Sequence, residues 1–198
     1  MGSNPAGRNY KSKGDNMINA SEGILKQTKV SSQIQALLLG LGAILLILFG
    51  MPQMITGVIV NMILIICTEK CGVERAIMLG LITPIVASFS AVLPIALLVM
   101  VPFIVIGNAI YVSTYNALMQ KGRFIAVCAG AVIKAAFLYM MVSITMARPV
   151  NLLVEGRLQA VDIPQAVAFM MSWPQLLTAL AGGFLAIGIL SLADKRRR

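Results

Sequence analysis

The chain contains no histidine, and only 12% of its residues are charged. A soluble domain carries roughly 25% charged residues, so this chain has too few polar groups to cover a surface that faces water. Without histidine, Ser–His and Cys–His catalytic pairs and imidazole metal sites are excluded. We predict no metal site and no cofactor.

Cysteine is also scarce. The three cysteines, Cys67, Cys71 and Cys128, are an odd number in apolar surroundings, which does not indicate a disulfide framework. Cys67 and Cys71 fall one helical turn apart, but two thiols without a histidine or a second pair make a poor zinc site. We interpret them as small packing residues.

Long charge-free stretches are what the sequence does have. No residue from Ala76 to Gln120 is Asp, Glu, Lys or Arg, which is too long for one membrane crossing and fits two helices with a bend at Pro94. We therefore predict an all-α integral membrane protein, a six-helix bundle over residues 34–193. The predicted helices cover residues 34–50, 53–68, 75–93, 98–118, 124–146 and 164–192, the last one bent at Pro174.

Basic residues lie in the two tails and in alternate loops, and the formal net charge is +9. This asymmetry predicts that both termini are cytoplasmic. Residues 1–33 form a polar tail that we expect to be partly disordered, with a weak pattern for a short helix on the membrane surface. Residues 194–198 form a basic C-terminal tail. Because the basic residues are not grouped on one face with aromatics, we predict lipid contact and no nucleic-acid binding.

Five of the six predicted helices carry polar residues near their middle. At about 1.5 Å rise per residue, these lie near the centre of a membrane core about 30 Å thick. Tyr111 shares a helical face with one of them. We take this layer as the candidate substrate-binding site, formed by Asn61, Thr83, Asn108, Tyr111, Lys134, Gln175 and Thr178.

Lys134 is the most informative residue of this layer. A charge at mid-membrane costs about 2.5–3.5 kcal/mol on insertion scales, yet none of the seven acids lies at that depth. Lys134 is neutral because burial disfavours the charge, or its partner comes from a ligand, or its partner comes from another chain. The structural alternative is a lysine that snorkels or binds backbone carbonyls, just as Asn61 and Asn108 could simply join helices.

The first predicted helix has no mid-membrane polar residue. Ala36 and Gly40 are four residues apart, and such small pairs let another helix approach closely. We predict that they form a docking surface for a partner.

Six short helices, two basic tails and this chain length resemble the substrate-binding S components of energy-coupling factor (ECF) transporters. The resemblance covers residues 32–198. In that family an Ala-x-x-x-Ala pattern in the first helix meets the T component; Ala36 and Gly40 stand at the matching positions here. The run from Pro102 to Asn108 is also similar to segments of family members.

The resemblance implies a multi-pass protein of the bacterial cytoplasmic membrane that captures a vitamin or similar micronutrient from outside. It would deliver this cargo together with a T component and two cytoplasmic ATPases, with no chemical activity of its own. Lys134 favours an anionic or acceptor-rich cargo, and the segment Ala147–Pro164 is a candidate lid on the outer side.

Three alternatives remain open at this point. The chain could be a structural subunit of a larger membrane complex, in which Lys134 meets an acid from a neighbour. It could be a small stand-alone permease, although the sequence offers no convincing internal repeat. An intramembrane enzyme is the least supported alternative, since the helices offer no evident general base.

Overall fold

The computed structural model describes residues 31–45, 52–89, 95–147, 150–154, 157–161 and 163–196. Residues 1–30 of the predicted N-terminal tail, the predicted bend at Pro94 and the last two residues of the C-terminal tail lie outside the described residues. The described chain is helical except for one β-hairpin and short turns. The helices are α1 Ser31–Leu45, α2 Gln53–Cys71, α3 Val73–Phe89, α4 Ile95–Leu98, α5 Val101–Leu118, α6 Arg123–Met146, α7 Gln165–Met170 and α8 Trp173–Lys195.

Six of these helices, α1, α2, α3, α5, α6 and α8, correspond to the six predicted apolar segments. Four segments are long and apolar enough to cross a membrane, namely Gln53–Cys71, Val101–Leu118, Arg123–Met146 and Gln165–Lys195. The described parts of α1 and α3 are shorter than 18 residues. The structure thus supports a multi-pass helical membrane protein.

Two of the turns that join consecutive helices contain a glycine. Gly72 separates α2 from α3 with φ 101°, and Gly122 separates α5 from α6 with φ 143°. Residues with a side chain rarely adopt these angles, whereas glycine does so at little cost. The Gly72 N–H also donates to the Cys67 carbonyl at 3.0 Å, which closes the end of α2.

The last apolar segment is interrupted, but not where the sequence predicts. The break falls at Met171 and Ser172, between α7 and α8, and Pro174 lies in the first turn of α8. Proline suits a first turn because its missing N–H would have no partner in the helix there. The interruption therefore lies two to three residues before the predicted bend at Pro174.

The segment between α6 and α7 holds the only β-structure of the described residues. Strands β1 Val150–Val154 and β2 Arg157–Val161 pair antiparallel, with Val150 opposite Val161. This hairpin departs from the all-helical prediction. It follows the C-terminal end of α6 and so belongs to the opposite end of the bundle from Arg123, where α6 begins.

Helices α2, α5, α6 and α8 form the centre of the bundle, with close contact between α2 and α8 and between α5 and α6. Glycine permits this approach. A Cβ at Gly182 of α8 would overlap the Val58 carbonyl oxygen of α2, and a Cβ at Gly183 would lie 2.6 Å from the Tyr111 hydroxyl. Helix α3 packs on α2 and α5, and many large apolar side chains face outward, as lipid contact requires.

Candidate functional site

Lys134 lies at the middle of the bundle. Its side chain is 2% exposed, and Nζ donates hydrogen bonds to Asn61 Oδ1 at 2.7 Å and to Asn108 Oδ1 at 2.8 Å. The Tyr111 ring centroid lies 5.4 Å from Nζ, within the range of a cation–π contact. The structure thus brings together Asn61, Asn108, Tyr111 and Lys134, from α2, α5 and α6. We call these four residues the polar centre.

The depth of the polar centre follows from helix geometry. Eleven residues separate Arg123, the first residue of α6, from Lys134, which is about 16 Å of helix rise. A membrane core is about 30 Å thick, so this places the ammonium near its middle.

Asn108 joins three helices. Its Nδ2 donates to the Gly80 carbonyl of α3 at 2.9 Å, while its Oδ1 accepts from Lys134 of α6. A side-chain amide has one accepting oxygen and one donating nitrogen, so these two bonds fix which way the amide faces. Asn108 is 3% exposed, and both of its polar atoms are satisfied inside the protein.

A hydrogen bond from its hydroxyl group fixes the Tyr111 side chain. The ring is fully buried, and its hydroxyl donates to the Ala179 carbonyl of α8 at 2.8 Å. Gly130 and Gly183 leave room for this side chain, because a Cβ at Gly130 would lie 2.9 Å from a ring carbon and a Cβ at Gly183 would lie 2.6 Å from the hydroxyl oxygen. The fixed ring supplies part of the environment of the Lys134 ammonium.

The partners of Lys134 are neutral. Within the described part of the chain, the ion pairs involve Lys70 and Arg123, and no carboxylate pairs with Lys134. From the sequence we looked for an acidic partner for Lys134, and we did not consider that Asn61 and Asn108 could both accept hydrogen bonds from it. Their similar predicted depth was the signal for this contact. Two amide oxygens and the Tyr111 ring therefore lie around Lys134 Nζ, and no carboxylate of the described residues pairs with it.

Thr83 is buried without a hydrogen-bond partner among the described residues. Thr68 shows the ordinary arrangement in a helix, since its hydroxyl donates to the Leu64 carbonyl at 2.7 Å. Buried polar groups are nearly always hydrogen-bonded, and each exception needs an explanation. Thr83 Oγ1 therefore makes no hydrogen bond to the polar centre either.

Gln175 and Thr178 are not joined to Lys134 by hydrogen bonds. Thr178 Oγ1 donates to the Gln175 carbonyl at 3.1 Å, and Gln175 Nε2 contacts the Met171 sulfur at 4.0 Å. Both contacts stay within the α7–α8 segment. Thr178 also faces Gly57, where a Cβ would lie 3.4 Å away, so this face packs α8 on α2.

A second group of polar residues lies at the end of the bundle where α2 and α8 end and α6 begins. Arg123 donates to Glu69 at 2.7 Å and to Asp194 at 3.2 Å, and Lys70 pairs with Asp194 at 3.4 Å. The Tyr115 hydroxyl donates to Glu69 at 2.5 Å. We call these five residues the end cluster. Sequence reasoning missed it, although its charged residues stand at helix ends predicted to share one side.

A cleft of about 290 Å³ adjoins the end cluster, lined by Thr68, Glu69, Met119, Gln120 and Arg123. Its two charged residues already pair with each other. The cleft therefore offers no unsatisfied charge to a ligand.

The predicted docking residues face their own chain. A Cβ at Gly40 would lie 3.0 Å from the Leu79 side chain of α3, and Ala36 packs on the apolar cluster that α2 and α3 form. The side of α1 that is exposed carries leucines instead, including Leu37, Leu38 and Leu41. In this conformation a partner helix would meet that side, so close approach at Gly40 would require α1 to move. The docking role stays a prediction.

The three cysteines are free, and the described residues contain no group of three or more His, Cys, Asp or Glu side chains that could hold a metal ion. Comparison with known protein families, with curated proteins and with solved structures found no match. Four long apolar helices among the described residues are typical of a multi-pass helical membrane protein.

Proposed function

We propose that this chain is the substrate-capturing S component of an ECF transporter. It resides in the bacterial cytoplasmic membrane with both termini in the cytoplasm and binds a vitamin or similar micronutrient from outside. A T component and two ATPases complete the importer. The observation that carries the proposal is the polar centre, in which Lys134 is buried at mid-depth with two neutral acceptors and no carboxylate.

This arrangement suits an anionic or acceptor-rich cargo. A carboxylate or phosphate oxygen placed beside Lys134 would form a charge-assisted hydrogen bond, and such bonds are stronger than neutral ones. The Thr83 hydroxyl, buried and without a partner in the described structure, is a further group for the same cargo. A cargo that met both groups would supply a counter-charge to Lys134 and a hydrogen-bond partner to Thr83.

The distribution of charge supports the proposed orientation. The end cluster joins Lys70 and Arg123 at one end of the bundle, close to the basic residue Lys121 and to the C-terminal end of α8. Lys and Arg accumulate on the cytoplasmic side of membrane proteins. The β-hairpin belongs to the other end, which agrees with the proposed outer lid.

One observation weighs against the structural-subunit alternative. Both hydrogen bonds of Lys134 go to residues of its own chain, and the side chain is 2% exposed. Any counter-charge would have to enter the bundle to reach Lys134 Nζ. A small anionic molecule can do this more readily than an acidic side chain fixed on a neighbouring helix.

The test is purification of the tagged chain from its native host in a mild detergent, followed by native mass spectrometry. We expect a complex with a second membrane protein and two ATPase subunits, and a small molecule bound to the isolated chain. A stable complex that contains other membrane subunits but no ATPase would contradict the proposal and favour the structural-subunit alternative.

A further inference from the structure

Pro84 changes the hydrogen bonding of α3. It lies inside the helix and is buried. In an α-helix the N–H of each residue donates to the carbonyl four residues earlier, and proline has no N–H. The Gly80 carbonyl therefore has no N–H from residue 84 and is left for another donor.

Asn108 is that donor. Its Nδ2 lies 2.9 Å from the Gly80 oxygen. Gly80 also lets α5 come close, because a Cβ there would lie 3.0 Å from the Asn108 Cβ. Pro84 thus leaves the Gly80 carbonyl without a helical N–H, and the absence of a side chain at Gly80 lets the Asn108 amide reach that carbonyl.

We infer that Gly80 and Pro84 are positioning residues of the polar centre, which hold the Asn108 amide with its oxygen toward Lys134. With Nδ2 committed to the Gly80 carbonyl, Oδ1 is the atom that meets the ammonium, at 2.8 Å. The reversed amide would point a donor at a cation and an oxygen at a carbonyl oxygen. Treating this centre as a binding site rests on the proposed function, whereas the positioning itself is testable without any ligand.

The test is a double-mutant cycle between Pro84→Ala and Asn108→Asp, read by thermal unfolding in detergent at mildly alkaline pH. Aspartate still accepts from Lys134 but cannot donate to the Gly80 carbonyl while it is ionised. Pro84→Ala supplies a backbone N–H to that carbonyl. The carboxylate that Asn108→Asp places beside Lys134 is present in both backgrounds, so its contribution cancels in the cycle. We therefore expect the change in unfolding temperature caused by Asn108→Asp to be roughly 2–10 °C less favourable in the Pro84 protein than in the Pro84→Ala protein.

Pro102→Ala is the matched control. Pro102 lies in the first turn of α5, and the carbonyl four residues before it is that of Leu98, so Pro102→Ala supplies no N–H to the Gly80 carbonyl. Asn108→Asp should change the unfolding temperature of the Pro102→Ala protein as much as that of the wild type. If Pro84→Ala does not fold, Pro84→Val supplies the same N–H with more apolar volume and takes its place in the cycle.

Equal effects of Asn108→Asp in the Pro84 protein and in its non-proline variant would overturn the inference. Finding no ligand on the protein purified from its native host would not overturn the inference, because that result concerns only the proposed function. The two failures are therefore distinguishable.

Discussion

The polar centre and the end cluster both connect helices through polar side chains, but they treat charge differently. In the end cluster, two acids and two basic residues pair where the side chains are in part exposed, up to 36% for Arg123 and 44% for Asp194. In the polar centre, Lys134 is 2% exposed and meets amide oxygens. The difference is that the more exposed basic residues pair with carboxylates of the chain, whereas the buried lysine meets neutral groups.

Burial makes this difference costly. Exposed ion pairs contribute little, because water and salt screen them. A buried charge without a counter-charge is expensive, so the arrangement around Lys134 is a poor choice for stability alone. Under the proposed function, an anionic ligand would supply the missing counter-charge.

Removing both acceptors of Lys134 should have the largest effect. Asn61→Leu with Asn108→Leu leaves a buried charge without partners, which costs about 3–5 kcal/mol. Thermal unfolding should show the loss. Adding Lys134→Met should restore much of the stability. No restoration would mean that the asparagines act by packing or through the Asn108–Gly80 hydrogen bond, and not through Lys134.

Close packing behind the polar centre should matter next. In Gly182→Ala the new methyl group would overlap the Val58 carbonyl and lie 2.8 Å from the Asn61 Cβ, and such overpacking costs about 1–3 kcal/mol. Gly188→Ala in the same helix is the control, because its Cβ meets nothing within 4 Å. Equal unfolding temperatures for the two variants would contradict the packing described for α2 and α8.

Arg123→Gln should have a smaller effect that depends on salt. It breaks two ion pairs of the end cluster, both within reach of water. The difference in unfolding temperature from the wild type should shrink as salt is added, since screening weakens exposed pairs. Variants of the polar centre should show no such salt dependence, and a shared dependence would erase the distinction between the two regions.

Lys70→Gln should change least. Lys70 contacts only the rim of the end cluster, at 3.4 Å from Asp194 with both side chains a third or more exposed. Many such pairs contribute nothing measurable. An unfolding temperature lowered as much as by Arg123→Gln would mean that the cluster acts as one cooperative unit.

The sequence predicts much of this architecture, because apolar length and charge-free runs determine where helices cross a membrane. It also predicts the depth of Asn61, Asn108 and Lys134, because helix rise is constant. It does not predict which polar atoms meet. The bond from Asn108 to the Gly80 carbonyl depends on the rotation of α3 against α5, which distributed side-chain packing decides.

Three other features, namely the contact at Gly40, the β-hairpin and the end cluster, were not predicted from the sequence. Gly40 and its neighbours mark a close helix contact, but a small-residue pair does not say whether its partner is in the same chain. The sequence between Val154 and Arg157, Glu155-Gly156, has the glycine of a two-residue hairpin loop but lacks the Asn or Asp that makes such a pair a strong signal. The end cluster joins Glu69 and Asp194, which are far apart in sequence and become neighbours only through the α2–α8 contact.

The most direct test of the account is ligand occupancy in three proteins purified from the host: wild type, Lys134→Met and Lys70→Met. Native mass spectrometry identifies the co-purifying molecule, and calorimetry with that molecule gives its affinity. We predict an anionic or acceptor-rich molecule that binds wild type and Lys70→Met equally, and roughly 10- to 150-fold more weakly to folded Lys134→Met. Unchanged affinity in folded Lys134→Met would contradict the account and make Lys134 a structural residue.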